Sequence, residues 1–126
     1  MVIELQSSES YRETISRNRL VVIAICNRSS KNWDYIIKLF QYLEELVKPK
    51  IVFGIIDVNM ALSDLEDYEI SLAKKDVIIK MYLNGSCIFS QEGVFHSVYN
   101  DIETLKEGIR STLKKHSIQI KFIRSR

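Results

Sequence analysis

Residues 26–31, CNRSSK, gather one thiol, two hydroxyls and two cationic side chains within six positions. They fall between the apolar run LVVIAI (residues 20–25) and a helical pattern that begins at Trp33. A thiol near a helix start is favoured as thiolate, because unpaired backbone N–H groups carry partial positive charge there, and Arg28 and Lys31 add to it. Cys26 is therefore the candidate catalytic nucleophile; its alternative is a small apolar side chain ending a buried strand. Arg28, Ser29, Ser30 and Lys31 form a candidate contact for an anion or a partner, since hydroxyls and cations at a helix start suit negative charge. Ordinary helix capping accounts for the two serines as well. The GxxxxGK[ST] loop that wraps a nucleotide phosphate is absent.

The remaining chemistry-bearing residues are scattered. Cys26 and Cys87 lack CxxC spacing, and only His96 and His116 accompany them, so a four-ligand zinc site is not expected; no metal and no cofactor is assigned. Each histidine is followed by a serine, Ser97 and Ser117, but neither stretch carries a recognisable triad motif. Asp64, Glu66, Asp67 and Glu69 read as solvated charge, whereas Asp57 ends a strand, a favourable place for a site in α/β folds. Lys106, Arg110, Lys114, Lys115, Lys121, Arg124 and Arg126 make the C-terminal end basic against Glu107 alone. This end is read first as a solvated basic surface; nucleic-acid contact is the alternative, not favoured because the aromatic pattern of an RNA-binding sheet is missing.

The elements that must position these groups follow from periodicity. A chain of 126 residues with 18 basic and 16 acidic side chains suits one domain without a global field for polyanions. VIEL (2–5) reads as a strand, then a helix capped by Ser7 or Ser8 carries Tyr11 and Ile15 and ends near Asn18. LVVIAI has no polar interruption, as in a central strand covered on both faces. A helix over 30–47 presents Trp33, Ile36, Ile37, Phe40, Leu43 and Val47, and Pro49 marks its end. IVFGIIDV (51–58) is a second central strand in which Gly54 implies a bulge or a close backbone approach. Ser63 with Glu66 suggests a capping box, with Leu65, Tyr68 and Leu72 facing inward. VIIKMYL (77–83) and SCIFS (86–90) flank Asn84-Gly85, a tight-hairpin signal. Asn100 with Glu103 opens a last helix whose Ile102, Leu105, Ile109 and Leu113 face the core. Ile118, Ile120 and Phe122 then alternate with polar residues, as in a half-buried extra strand.

This order resembles the thioredoxin-like superfamily over residues 2–115. The resemblance is carried by IVFGIIDVN, in which Asp-x-Asn closes the third strand, by YLNGSCIFSQEG, in which Gly85 and Gly93 frame the last strand, and by the long helix after CNRSSK. It implies a three-layer α/β/α domain with a central mixed sheet, here followed by a basic, apolar extension over residues 116–126 with an extra strand. It also implies a CxxC centre at the start of the second helix. With Lys31 aligned to the lysine that follows that motif, Asn27 and Ser30 stand where the cysteines would be. Shifted by one residue, Cys26–Ser29 becomes CxxS, like the family's single-cysteine variants. The family's cis-proline position falls at Val77, and a cis bond there would cost about 2.5–4 kcal/mol, so the Asp76-Val77 loop is expected to be trans. The buried aspartate of the second strand is missing from LVVIAI.

The resulting expectation is a redox-inactive thioredoxin-like protein that acts by protein association, as a homodimer or with another protein. Ile118, Ile120, Phe122 and Arg124 are the candidate interface, and Tyr82, Phe95, Tyr99 and Trp33 are assigned to core packing. The enzyme alternative is monothiol exchange or peroxide reduction at Cys26. A cytoplasmic, reducing location suits two unpaired cysteines, and no secretory or membrane-spanning segment is expected.

Overall fold

LVVIAI holds the centre of the sheet because both of its faces are covered. In the computed structural model, which describes residues 1–123, β2 (Leu20–Cys26) is buried along its whole length. Leu20, Val22, Ala24 and Cys26 face one helical layer, and Val21, Ile23 and Ile25 face the other. The first layer is α2 (Lys31–Leu46) and α4 (Val98–Lys115), which contribute Trp33, Ile36, Phe40, Leu43, Ile102, Leu105, Ile109 and Leu113. The second is α1 (Ser8–Arg17) and α3 (Asp67–Lys75), through Tyr11, Ile15 and Ala73. Each fully buried aliphatic or aromatic side chain contributes about 1.5–3 kcal/mol relative to exposure, so this two-sided packing determines the fold.

The sheet has the order β1-β4-β2-β5-β6, with β1 (Ile3–Leu5), β4 (Val52–Asp57) and β2 parallel, and β5 (Val77–Leu83) and β6 (Ser86–Glu92) antiparallel. Gly54 lies between Ile3 and Ile23 in the parallel ladders, and a Cβ there would stand 3.3 Å from the Ile3 carbonyl oxygen. The close approach accounts for the glycine without a bulge. Asn84 and Gly85 turn the β5–β6 hairpin at φ 51° and 88°, as Asn-Gly predicts.

Several expectations need correction. The capping box that opens α3 is Glu66 with Glu69, while Ser63 lies in a 3-10 turn, Leu62–Asp64; Tyr68 is exposed, and Ala73 takes the inward position. α4 starts one turn earlier than expected, on Ser97, because the Asp101 carboxylate is drawn inward to accept the Phe95 N–H at 2.8 Å. α2 ends at Leu46, followed by the two-residue β3 (Val47–Lys48), and Lys48-Pro49 is a cis peptide.

The extra strand is shorter than its alternation suggests. β7 is Lys121–Phe122, paired antiparallel with β3 so that Val47 meets Phe122 and Lys48 meets Lys121. Ile118, Ile120 and Phe122 are half-buried against the α2/α4 core. Residues 116–123 of the extension thus fold back on the domain. Arg124, named with these three as interface, lies outside the described residues.

Candidate functional site

The carboxyl ends of β2 and β4, the start of β5 and the first turn of α2 meet at one end of the sheet, where Cys26 is in register with Asp57 on one side and Val77 on the other. Cys26 is in phase with Leu20, Val22 and Ala24 and so turns into the α2/α4 core, with no exposed surface. Burial pushes its thiol up to about 12, and the negative charges of Asp57 and Asp76 push in the same direction. The expectation of a thiolate favoured by the helix start is corrected: desolvation dominates, and the neighbouring carboxylates add to it.

The turn that replaces a CxxC motif satisfies its own polar groups. Asn27 Oδ1 accepts the Ser29 N–H at 2.9 Å, the Ser30 hydroxyl donates to the Asn27 carbonyl at 2.9 Å, and Ser30 Oγ caps α2 by accepting the Asn32 N–H at 3.2 Å. Arg28 reaches away to Glu4 at 3.2 Å and lies 5.0 Å from the centre of the Trp33 ring. Lys31 is exposed. Of the four candidate contact residues Arg28, Ser29, Ser30 and Lys31, Arg28 is turned toward Glu4 and Trp33, Lys31 is exposed, and Ser30 caps α2.

Across from this turn, Asp76 and Val77 open β5, and the Val77 carbonyl accepts the Gly93 N–H at 2.7 Å. The Asp76-Val77 bond is trans; the cis peptide among the described residues precedes Pro49. Gly93 has φ 83°, and a Cβ on it would stand 3.0 Å from Asp76 Oδ2, so glycine serves both the left-handed backbone and the room the carboxylate needs. Asp76 and Gln91 line a hollow of about 200 Å³ together with Val94, Phe95 and Thr104. Asp76 Oδ1, Gln91 Oε1 and Asn32 Oδ1 are shielded from solvent without a hydrogen-bond partner among the described residues.

The segment after Gly93 is what the sequence reading missed. Trp33 and Tyr82 are core residues as expected, but Phe95, Val98 and Tyr99 are 67 %, 60 % and 74 % exposed. Asp101, fully buried, holds the segment in place through Phe95 N–H and through a hydrogen bond from the Tyr35 hydroxyl, and the His96 ring stacks on Tyr35 at 5.2 Å. Burial, the Asp101 hydrogen bond and its charge all raise the Tyr35 hydroxyl, so it stays a donor. The sequence signals present were Gly93 and Ser97, which mark a loop, within the apolar-aromatic run GVFHSVYN.

Cys87 is exposed and opposite Tyr82, well along β5 from Cys26, so the two thiols form no pair. No group of three or more His, Cys, Asp or Glu side chains among the described residues is placed to hold a metal ion, and no helix there is long and apolar enough to cross a membrane.

No family model and no curated protein matches the sequence. Solved structures do match the fold. A Plasmodium falciparum thioredoxin is 21% identical with a TM-score of 0.63, over 86% of this chain and 97% of its own. A single-site mutant of a thioredoxin from Halobacterium salinarum is 15% identical with a TM-score of 0.68, over 88% and 89%. A reduced Schistosoma mansoni thioredoxin is 24% identical with a TM-score of 0.59, over 85% and 97%. With β2, β4 and the β5–β6 hairpin in place and CNRSSK at the start of α2, the chain has a divergent thioredoxin-like fold that lacks the CxxC motif.

Proposed function

We propose that this chain is a redox-inactive thioredoxin-like domain that works by binding another polypeptide. One observation supports this reading above the others: where a dithiol centre would stand, the thiol is buried, and beside it Phe95, Val98 and Tyr99 are turned outward on an anchored segment. Large aromatic side chains exposed together favour association, and such residues are frequent energetic centres of interfaces. The hollow beside Phe95, with Asp76 and Gln91 in its wall, adds polar groups to the same face. A second copy of this chain is the first candidate partner. The half-buried Ile118, Ile120 and Phe122 serve the domain's own core, so the proposed contact moves from the extension to the 93–99 segment.

Light scattering on the full chain from low to high micromolar concentration, compared with Phe95→Glu and Tyr99→Glu, tests the proposal. Loss of a central aromatic anchor costs about 2 kcal/mol or more, so each variant should weaken self-association, or binding to an isolated partner, roughly thirty-fold. A monomer at every concentration, with no polypeptide cross-linked from position 95, would count against it. So would steady turnover in a protein-disulfide reduction assay.

The enzyme reading, monothiol exchange or peroxide reduction at Cys26, has no geometric support while that sulfur is shielded. A second reading, nucleic-acid contact, is favoured only by the basic C-terminal end. It predicts oligonucleotide binding that falls steeply between 50 and 200 mM salt, by roughly a thousand-fold for six phosphate contacts. Absence of binding at the lower salt would dispose of it.

A further inference from the structure

A hollow of about 500 Å³ lies away from the Cys26 end, between α4 and the β3–β7 ribbon. Lys48, Arg110, Lys114 and Lys121 surround it, Ile118 and Ile120 provide an apolar wall, and among the described residues no acidic side chain lines it. Secondary structure makes these cations neighbours in two independent ways. Lys48 and Lys121 stand directly opposite each other in the antiparallel ribbon. Arg110 and Lys114 are four residues apart on α4. Like charges directly across a strand pair, and like charges at i,i+4 on a helix, each destabilise the element that carries them.

Among the described residues only one of the four has an ion-pair partner, Arg110 with the exposed Glu107 at 3.4 Å. The Arg110 guanidinium also lies 5.4 Å from the Phe122 ring centre, which fixes its position at the rim. A ribbon of two residues gains little from its own ladder, and it is built with a repulsive pair. The charge it concentrates is then explained by what it attracts. Cations converging on a concave, partly apolar surface focus potential on a multiply charged anion. The volume falls within the range of about 300–1,000 Å³ typical of small-molecule sites.

We propose that this hollow binds a small phosphorylated molecule, with its phosphates between the Lys48/Lys121 and Arg110/Lys114 pairs and its less polar body against Ile118 and Ile120. The site is separate from the association face and does not depend on that reading.

Calorimetric titration of the full chain with inorganic pyrophosphate, ADP and adenosine at 50 mM NaCl tests it. Pyrophosphate and ADP are expected to bind saturably, ADP more tightly, and adenosine not detectably. In Lys48→Gln/Lys121→Gln, whose side chains are exposed, affinity for ADP should fall at least tenfold. A second measurement reads thermal stability: Lys48→Glu places opposite charges across the ribbon, so its Tm should rise above that of the unmodified chain, and added pyrophosphate should raise it no further. No saturable binding of either phosphate overturns the proposal, as does binding unchanged in the double variant. Tighter binding of a single-stranded oligonucleotide than of ADP, lost in the same variant, overturns the small-molecule assignment in favour of nucleic acid.

Discussion

In a Cys87→Ser variant, where Cys26 is the sole thiol, reaction with a small aromatic disulfide at pH 8 should be at least about 100-fold slower in the folded protein than in denaturant. The magnitude follows from two opposed effects. Moving the thiol from its ordinary value of 9.0 up to about 12 lowers the thiolate fraction roughly a thousand-fold. The more basic thiolate is also the better nucleophile, with a Brønsted slope of about 0.4–0.5, which returns roughly twenty-fold. A net factor of roughly fifty remains before access is counted. Cys26 has no exposed surface, so steric shielding slows attack on the closed form further; reaction through an opened form, whose solvated thiol regains its ordinary pKa, is slowed instead about tenfold for each 1.4 kcal/mol of opening free energy. Stopped-flow rates in buffer and in guanidinium chloride measure the ratio on one and the same thiol. A ratio under ten would mean that Cys26 is accessible, and monothiol chemistry would return as the leading reading.

Much of this architecture was readable because its signals are local. LVVIAI is uninterrupted, Asn84-Gly85 sits between two strands, and the spacing of Ile102, Leu105, Ile109 and Leu113 marks one helix face; all three appear where periodicity places them. Element starts were less legible. Ser63 with Glu66 satisfies the pattern of a capping box, but the helix uses Glu66 with Glu69, a pair of acids outside that pattern. Asn100 with Glu103 loses to Ser97 because Asp101 turns inward toward Tyr35 and Phe95, a contact between distant elements that no local pattern encodes.

The place of Cys26 in the fold followed from the sequence, whereas its surroundings did not. Cys26 does lie beside the start of α2, where the helix dipole is favourable, and the sequence alone leaves its side open. Strand parity decides the matter: in phase with Leu20, Val22 and Ala24, it enters the core, where desolvation dominates. Phe95 and Tyr99 fail in the opposite sense. Their apolar character implies burial, while the anchoring of the 93–99 segment leaves them outside. Ile118, Ile120 and Phe122 were recognised as one apolar face, but their partner, the two-residue Val47–Lys48, is too short to announce itself as a strand.

Replacing Lys80 by methionine should destabilise the fold by roughly 3–5 kcal/mol at pH 7, the range for removing one partner of a buried ion pair. Lys80 sits in the middle of β5, across from Ile23, and reaches Glu69 of α3 at 2.8 Å, with side chains only 12% and 9% exposed. Burial alone would raise the Glu69 carboxyl. The hydrogen bond from Lys80, that from the Glu66 N–H and the Lys80 charge outweigh it, so the carboxyl titrates below its ordinary value of 4.5. A depressed carboxylate stabilises the fold above its unfolded pKa and loses that contribution as pH falls through the folded one. The unmodified chain should therefore lose stability as pH drops below about 4.5. In Lys80→Met the buried carboxylate has lost its cation and takes up a proton more readily, so acidification relieves the defect and the gap between the two proteins narrows. Lys80→Met/Glu69→Leu, which leaves no orphaned charge, should recover most of the loss, because apolar replacement of a buried pair is often neutral or stabilising by about 1–4 kcal/mol. Guanidinium unfolding of the three proteins at pH 7 and pH 4 measures all of this in one series. A single variant within about 1 kcal/mol of the unmodified chain at pH 7, the range of exposed pairs, would show that solvent reaches this pair and that α3 is held to the sheet by its apolar contacts alone.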